Sequence, residues 1–223
     1  MSLWLRGTWA VFEKDLRLEL RNRYTLNMLF LFVLATILMV LFATSQEALS
    51  PRLSAALLWI VILFATVIGL TRGFISEVEQ ETILLLQLHV TPASVYAGKL
   101  LFNTLLTLVL NLIALLAFLL ILGVEVTRFD LLAVTLLLGS IGLSGATTLL
   151  SAIIAKATNR GPLLPVLAFP ILVPLLLTVT SLTHVAFIGG TWVQVKQDLL
   201  SLIGYSGAVI TASVLLFDYV WKD

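Results

Sequence analysis

The sequence predicts an all-α membrane protein with six transmembrane helices, an N-terminal interfacial helix and a helical loop between the second and third spans. Three observations predict it. Of the 223 residues, 60% are hydrophobic and only 11% are charged, against roughly 25% charged in soluble domains. The mean hydropathy is +1.11, and a soluble fold of this length cannot hide so much apolar surface, because surface grows too fast relative to volume. Six stretches suffice to cross a bilayer, which takes about 20 largely apolar residues: 26–44, 53–70, 100–123, 131–155, 163–181 and 199–221.

Residues 1–24 come first. Leu5, Trp9, Phe12, Leu16 and Leu20 recur at steps of three or four and share one helical face. Glu13, Lys14, Arg17 and Arg21 fill the rest, and Glu13 stands four residues before Arg17, a favourable pair. The segment is too charged to span, so it lies along the membrane interface with its tryptophans at headgroup level. Ala43-Thr44-Ser45 faintly resembles a signal-peptide cleavage site. The charged region before the first span is long and includes Glu13, Asp15 and Glu19, unlike a short basic n-region, so the span is read as retained.

The first five spans contain no charge, and the sixth meets only Asp218 near its end. Lys and Arg sort the connections by side. Ten lie on one side (Arg6, Lys14, Arg17, Arg21, Arg23, Arg72, Lys99, Lys156, Arg160 and Lys222) and three on the other (Arg52, Arg128 and Lys196). This places both termini in the cytoplasm, as an even number of spans requires. The net charge of +1 gives no case for nucleic acid as a partner. The absence of cysteine excludes disulfides, thiolate metal sites and covalent haem attachment within the chain.

Inside the spans the polar and small residues are patterned. Asn103, Thr107 and Asn111 form one stripe at i, i+4, i+8. They serve either as contacts to a neighbouring helix or as the polar wall of a translocation path. Gly139, Gly142 and Gly145 form a seam that lets helix backbones approach, within one chain or between two copies. Pro165, Pro170 and Pro174 each remove a backbone donor and favour a bend in span five. His184 falls after that span, in a loop on the outer side with Gly189, Gly190 and Trp192; a lone histidine is weak evidence for haem ligation.

The loop 71–99 is the most informative part of the chain. Glu77, Glu79 and Glu81 are packed into one turn, followed by Ile83, Leu84, Leu85, Leu86 and Leu88, then His89 and Thr91-Pro92. This pattern predicts a short helix, acidic at its N-terminal end where the dipole favours carboxylates, and apolar beyond. Thr91 as N-cap and Pro92 at the first helical position start the next helix, which runs through Lys99 into span three. The apolar cluster is too short to span and must meet headgroups, the rest of the protein or another protein.

No G-x-x-x-x-G-K-[ST], no H-E-x-x-H and no paired intramembrane aspartates occur, so the chain holds no nucleotide-binding, catalytic or metal-binding motif of its own. An energy input must come from a separate subunit. An intramembrane enzyme would need polar catalytic groups facing a cavity, which these clean spans do not offer.

The run from Glu77 to Pro92, continued to Gly98-Lys99, resembles the loop between spans two and three of ABC-2-type exporter permeases. The order of further motifs is similar to the CcmB family of cytochrome c maturation proteins: Lys14 to Arg21, Leu57-Leu-Trp59, Leu136 to Gly142, and Phe169 to Pro174. The resemblance covers nearly the whole chain. It implies a bacterial inner-membrane permease subunit, with residues 1–24 as an elbow helix beside the transport core. The loop would be a coupling helix that docks the ATPase through Glu77, Glu79, Glu81, Leu84, Leu85, Leu88, His89 and Pro92. It also implies a CcmA-like ATPase supplying ATP, a second copy of the chain, CcmC-like and CcmD-like membrane proteins and a CcmE-like haem chaperone. Haem would be the substrate, exported or released on its chaperone, and no cofactor would be bound directly. An ABC-2-type permease for a lipid, polysaccharide or drug is the alternative.

Overall fold

Apolar length decides which helices cross the membrane and charge decides which lie beside it. The computed structural model describes residues 3–44, 49–70, 72–79, 82–157 and 160–222. Among the described residues the helices are α1 (Leu3–Asn22), α2 (Tyr24–Ala43), α3 (Pro51–Leu70), α4 (Arg72–Glu79), α5 (Ile83–His89), α6 (Pro92–Ile121), α7 (Phe129–Lys156), α8 (Arg160–Ile188) and α9 (Trp192–Lys222). Six of them, α2, α3 and α6 to α9, are long and apolar enough to span a bilayer.

The centre of the bundle is α7, which packs on α3, α4, α6, α8 and α9. Its small side chains make this possible. A Cβ at Gly139 would run into the Trp59 ring, one at Gly142 into Leu175 and Ser206, and one at Gly145 would sit 2.8 Å from Ile210. The three glycines therefore seat α3, α8 and α9 in turn, and the seam is used inside one chain. The outer flanks, α2 and α9, leave Leu31, Met39, Phe42, Leu200 and Leu215 exposed, as suits helices bathed in lipid.

The polar stripe faces α7. Asn103 Nδ2 donates to Thr148 Oγ1 at 2.7 Å, Thr104 and Ser144 share a hydrogen bond at 2.6 Å, and Asn111 Nδ2 donates to Ser140 Oγ at 2.5 Å. Thr107 is buried with its hydroxyl unpartnered among the described residues. The stripe is thus a helix–helix contact along most of its length.

Two boundaries differ from the apolar pattern. The polar run Thr180, Ser181, Thr183 and His184 ends the apolar window, yet none of these residues terminates a helix, and α8 continues to Ile188. It stops where Gly189 takes the left-handed conformation, φ +81°. His184 accordingly sits within α8 and not in a loop. α9 starts at Trp192, earlier than 199, where Gln194 Oε1 reaches back to accept the Thr191 N–H at 2.9 Å, one half of a capping box. α8 runs without a break through Pro170 and Pro174, and the Thr178 hydroxyl donates to Pro174 O at 2.9 Å.

The two ends of the bundle are built differently. At one, the loop after α6 is stitched to the last turn of α8: Arg128 N donates to Ala186 O at 3.0 Å and Thr127 Oγ1 to Phe187 O at 2.8 Å. At the other, α1 lies against the start of α6. Gly98 permits the approach, since a Cβ there would meet Thr8 O and Val11 Cβ at 2.7 Å. α1 turns Thr8 and Val11 inward and leaves Leu5, Trp9 and Leu20 exposed. Much of its apolar stripe faces outward, and the face of Thr8, Val11 and Asp15 meets the protein. Arg23, at φ 48°, breaks α1 from α2, and Glu19 Oε1 accepts the Leu26 N–H at 3.0 Å.

Candidate functional site

The α1 end of the bundle carries a buried cluster of charges. The sequence brings Glu77 there by ending α4 just beyond it. Thr82 N donates to Glu77 O at 3.0 Å, and α5 begins only at Ile83. Glu77 and Glu79 therefore lie at the C-terminal end of α4, not at the N-terminal end of the apolar helix. The dipole there is unfavourable to a carboxylate, and cations compensate. Glu77 Oε1 binds Lys14 Nζ and lies 3.2 Å from Lys99 Nζ, while Thr82 Oγ1 donates to Glu77 Oε2. Lys99 Nζ also reaches Asp15 Oδ2 and Gly73 O, each at 3.1 Å, and stands 4.9 Å from the Phe74 ring centre. Lys14 Nζ is 3.1 Å from Asp15 Oδ1.

Two cations and two anions from α1, α4 and α6 thus form one neutral unit. Lys99 is 2% exposed and Glu77 5%. Desolvating such ions costs several kcal/mol each and is offset only when every partner is in place. Burial alone pushes the Glu77 carboxyl up, but Lys99, Lys14 and Thr82 outweigh it and hold it down at about 2, from 4.5. Burial likewise disfavours the Lys14 ammonium, yet Asp15 and Glu77 raise its pKa above the usual value.

A pH dependence follows. The Glu77 contribution is complete above 4.5 and is lost as pH falls towards about 2. That gap corresponds to about 3 kcal/mol. Thermal unfolding in detergent between pH 7 and pH 2 should show stability falling below pH 4.5, with a shallower fall in Glu77→Gln. Equal slopes in the two proteins would remove Glu77 as the cause.

A second set of contacts ties the same segment to the far end of the chain. Phe74 packs on Phe217 at 5.6 Å between ring centres, Tyr96 on Phe217 at 5.4 Å, and Phe217 stacks on Trp221 at 5.4 Å. Gln87 Nε2 donates to Trp221 O at 2.6 Å, and the Tyr96 hydroxyl donates to Gly145 O at 3.2 Å. The inner side of α4 and α5 is therefore fastened to α1, α6 and α9, and through Tyr96 to α7.

The residues singled out in the loop divide by side. Glu77 is turned inward and engaged by Lys14, Lys99 and Thr82. Leu88 is 79% exposed and His89 is exposed too. Pro92 is half-buried as the first residue of α6, behind Thr91 in an extended conformation. The Thr91 hydroxyl pairs with Ser94 Oγ at 2.9 Å instead of capping the backbone. Glu81, and the side chains of Glu79, Leu84 and Leu85, lie outside the described residues. Lys14, Asp15, Lys99 and Gln87 were not read as site residues. The signal for Lys99 was present, since a lysine entering an apolar helix demands a partner.

The family model described as CcmB protein matches residues 6–218. Among curated proteins, Heme exporter protein B of Bradyrhizobium diazoefficiens is 28% identical over 183 residues, 81% of this chain and 82% of the relative. Heme exporter protein B of Rhodobacter capsulatus is 28% identical over 203 residues, 90% of this chain and 92% of the relative. The matched region contains the charge cluster and both short helices as well as five complete spans and nearly all of the sixth. With the family model covering almost its whole length, the chain belongs to the CcmB protein family.

Proposed function

We propose that this chain is the permease subunit of an ATP-driven haem exporter acting in cytochrome c maturation. It sits in a bacterial inner membrane with both termini in the cytoplasm. A separate CcmA-like ATPase docks on α4 and α5, and a second copy of the chain and CcmC-like, CcmD-like and CcmE-like proteins complete the assembly. Haem is the cargo, carried across or handed over on its chaperone. Family membership and the printed names of the relatives support the cargo. One observation supports the docking. α4 and α5 are locked to the spanning helices on one side through Glu77 and Gln87, while Leu88 and His89 are exposed on the other.

An exposed apolar side chain on a rigid, well-anchored helix is the kind of anchor that dominates an interface. Leu88→Asp should leave insertion and thermal stability unchanged. It should weaken co-purification of the ATPase by about 2 kcal/mol or more, some thirtyfold, and cytochrome c maturation should fall with it. A Leu88→Asp, His89→Asp double variant that retains the ATPase and matures cytochrome c normally would refute docking at this surface.

A further inference from the structure

The end of the bundle opposite Glu77 holds a cavity of about 560 Å³ between α3 and α8, within the size range of small-molecule sites. Trp59 and Ile60 from α3 and Leu176 and Leu177 from α8 make apolar walls, and the cavity is open where Leu177 is 69% exposed. The Trp59 wall is fixed. Its indole N–H donates to Thr183 Oγ1 at 2.8 Å, and its far edge rests on Gly139.

Arg52, Thr180, Ser181 and His184 also line the cavity. Arg52 is the second residue of α3 and His184 lies one turn before the end of α8, so the antiparallel pair brings them to one end. Neither has a hydrogen-bond or ion-pair partner among the described residues. Ser181 Oγ is already engaged, donating to Asp198 Oδ2 at 2.7 Å. The site therefore offers a permanent guanidinium, an available imidazole and apolar walls from Ile60, Leu176 and Leu177 beside Trp59. Guanidinium recognises carboxylate or phosphate, and imidazole is the commonest metal ligand. A phospholipid would engage Arg52 and the walls but would give His184 no metal to bind. A flat apolar body carrying acidic groups and a metal engages all three.

We infer that this cavity binds a metalloporphyrin carboxylate, with Arg52 on the acid and His184 at the metal. The choice of haem as that molecule rests on the export reading. The test uses the permease with its ATPase subunit in phosphatidylcholine nanodiscs, titrated with hemin and with iron-free protoporphyrin. Hemin should bind with a shifted Soret band. His184→Ala should lose that spectral signature and about tenfold in hemin affinity, while protoporphyrin affinity stays unchanged. Arg52→Gln should keep the signature and lose about tenfold for both porphyrins. No hemin binding, or wild-type titrations in both variants, overturns the site. So does hemin binding abolished by phosphatidylglycerol in the disc, which gives the cavity to an anionic lipid. Unchanged titrations alongside normal cytochrome c maturation sink this site and leave haem export standing. Failure of the wild-type complex to support maturation sinks the export reading instead.

Discussion

Replacing Lys99 with methionine is expected to cost about 3–5 kcal/mol of stability and to abolish cytochrome c maturation. Methionine keeps the length and apolar stem of the side chain, so what is removed is charge. Asp15 and Glu77 would then share Lys14 alone, whose side chain is 34% exposed while that of Lys99 is 3% exposed. One buried carboxylate is left without a full partner, and a group in that position costs far more than a surface pair yields. Unfolding in mixed detergent micelles measures the loss. The double variant Lys99→Met, Glu77→Gln leaves the Lys14–Asp15 pair and no orphan charge. It should recover most of the stability, giving a large coupling energy in the mutant cycle. A single variant within about 0.5 kcal/mol of the wild type would place Lys99 among ordinary surface residues.

The double variant also separates two roles. It should fold and still carry Leu88 and His89 outward, so the ATPase should bind. The link from α4 to α6 would be a neutral contact in place of an ion pair. Maturation that recovers with stability means the cluster acts by holding the fold. Maturation that stays low while stability and ATPase binding recover means that the charges transmit movement along that link.

Legibility in the sequence followed the physics of each signal. The six spans could be read because apolar length is a local property with no competing explanation. Span ends failed where polar residues lay inside a helix: the polar run set the end of span five at 181 and left His184 in a loop, while the terminator was Gly189. On α1 the periodicity of Leu5, Trp9 and Leu20 was right, and these residues are exposed. The face that meets protein is a mixed one, with Thr8, Val11 and Asp15. The charge cluster was invisible because its members are brought together across 63 residues for Lys14 and Glu77 and 84 for Asp15 and Lys99. No periodic pattern encodes such a pairing. The break between α4 and α5 was missed for the same reason. Glu77 is held where it is by residues of α1 and α6, against the helix dipole.

Gly139→Ala is expected to destabilise by about 1–3 kcal/mol, although alanine is the better helix former. The added Cβ would overlap Trp59 Cη2 and stand 3.1 Å from Cζ3. The ring has nowhere to go, being 1% exposed and tethered by its N–H to Thr183. Gly142 is the useful contrast: its nearest obstacle is the tip of Leu175, a flexible side chain, so Gly142→Ala should cost less. In a Trp59→Phe background the far ring is gone, and Gly139→Ala should then approach neutrality or gain the roughly 1 kcal/mol of helix propensity. Strong coupling in that cycle identifies the ring contact as the cause. Equal costs in both backgrounds would instead locate the strain in the α7 backbone. The same ring forms one wall of the α3–α8 cavity, so a shift forced by Gly139→Ala should also weaken hemin binding, though neither Arg52 nor His184 is touched.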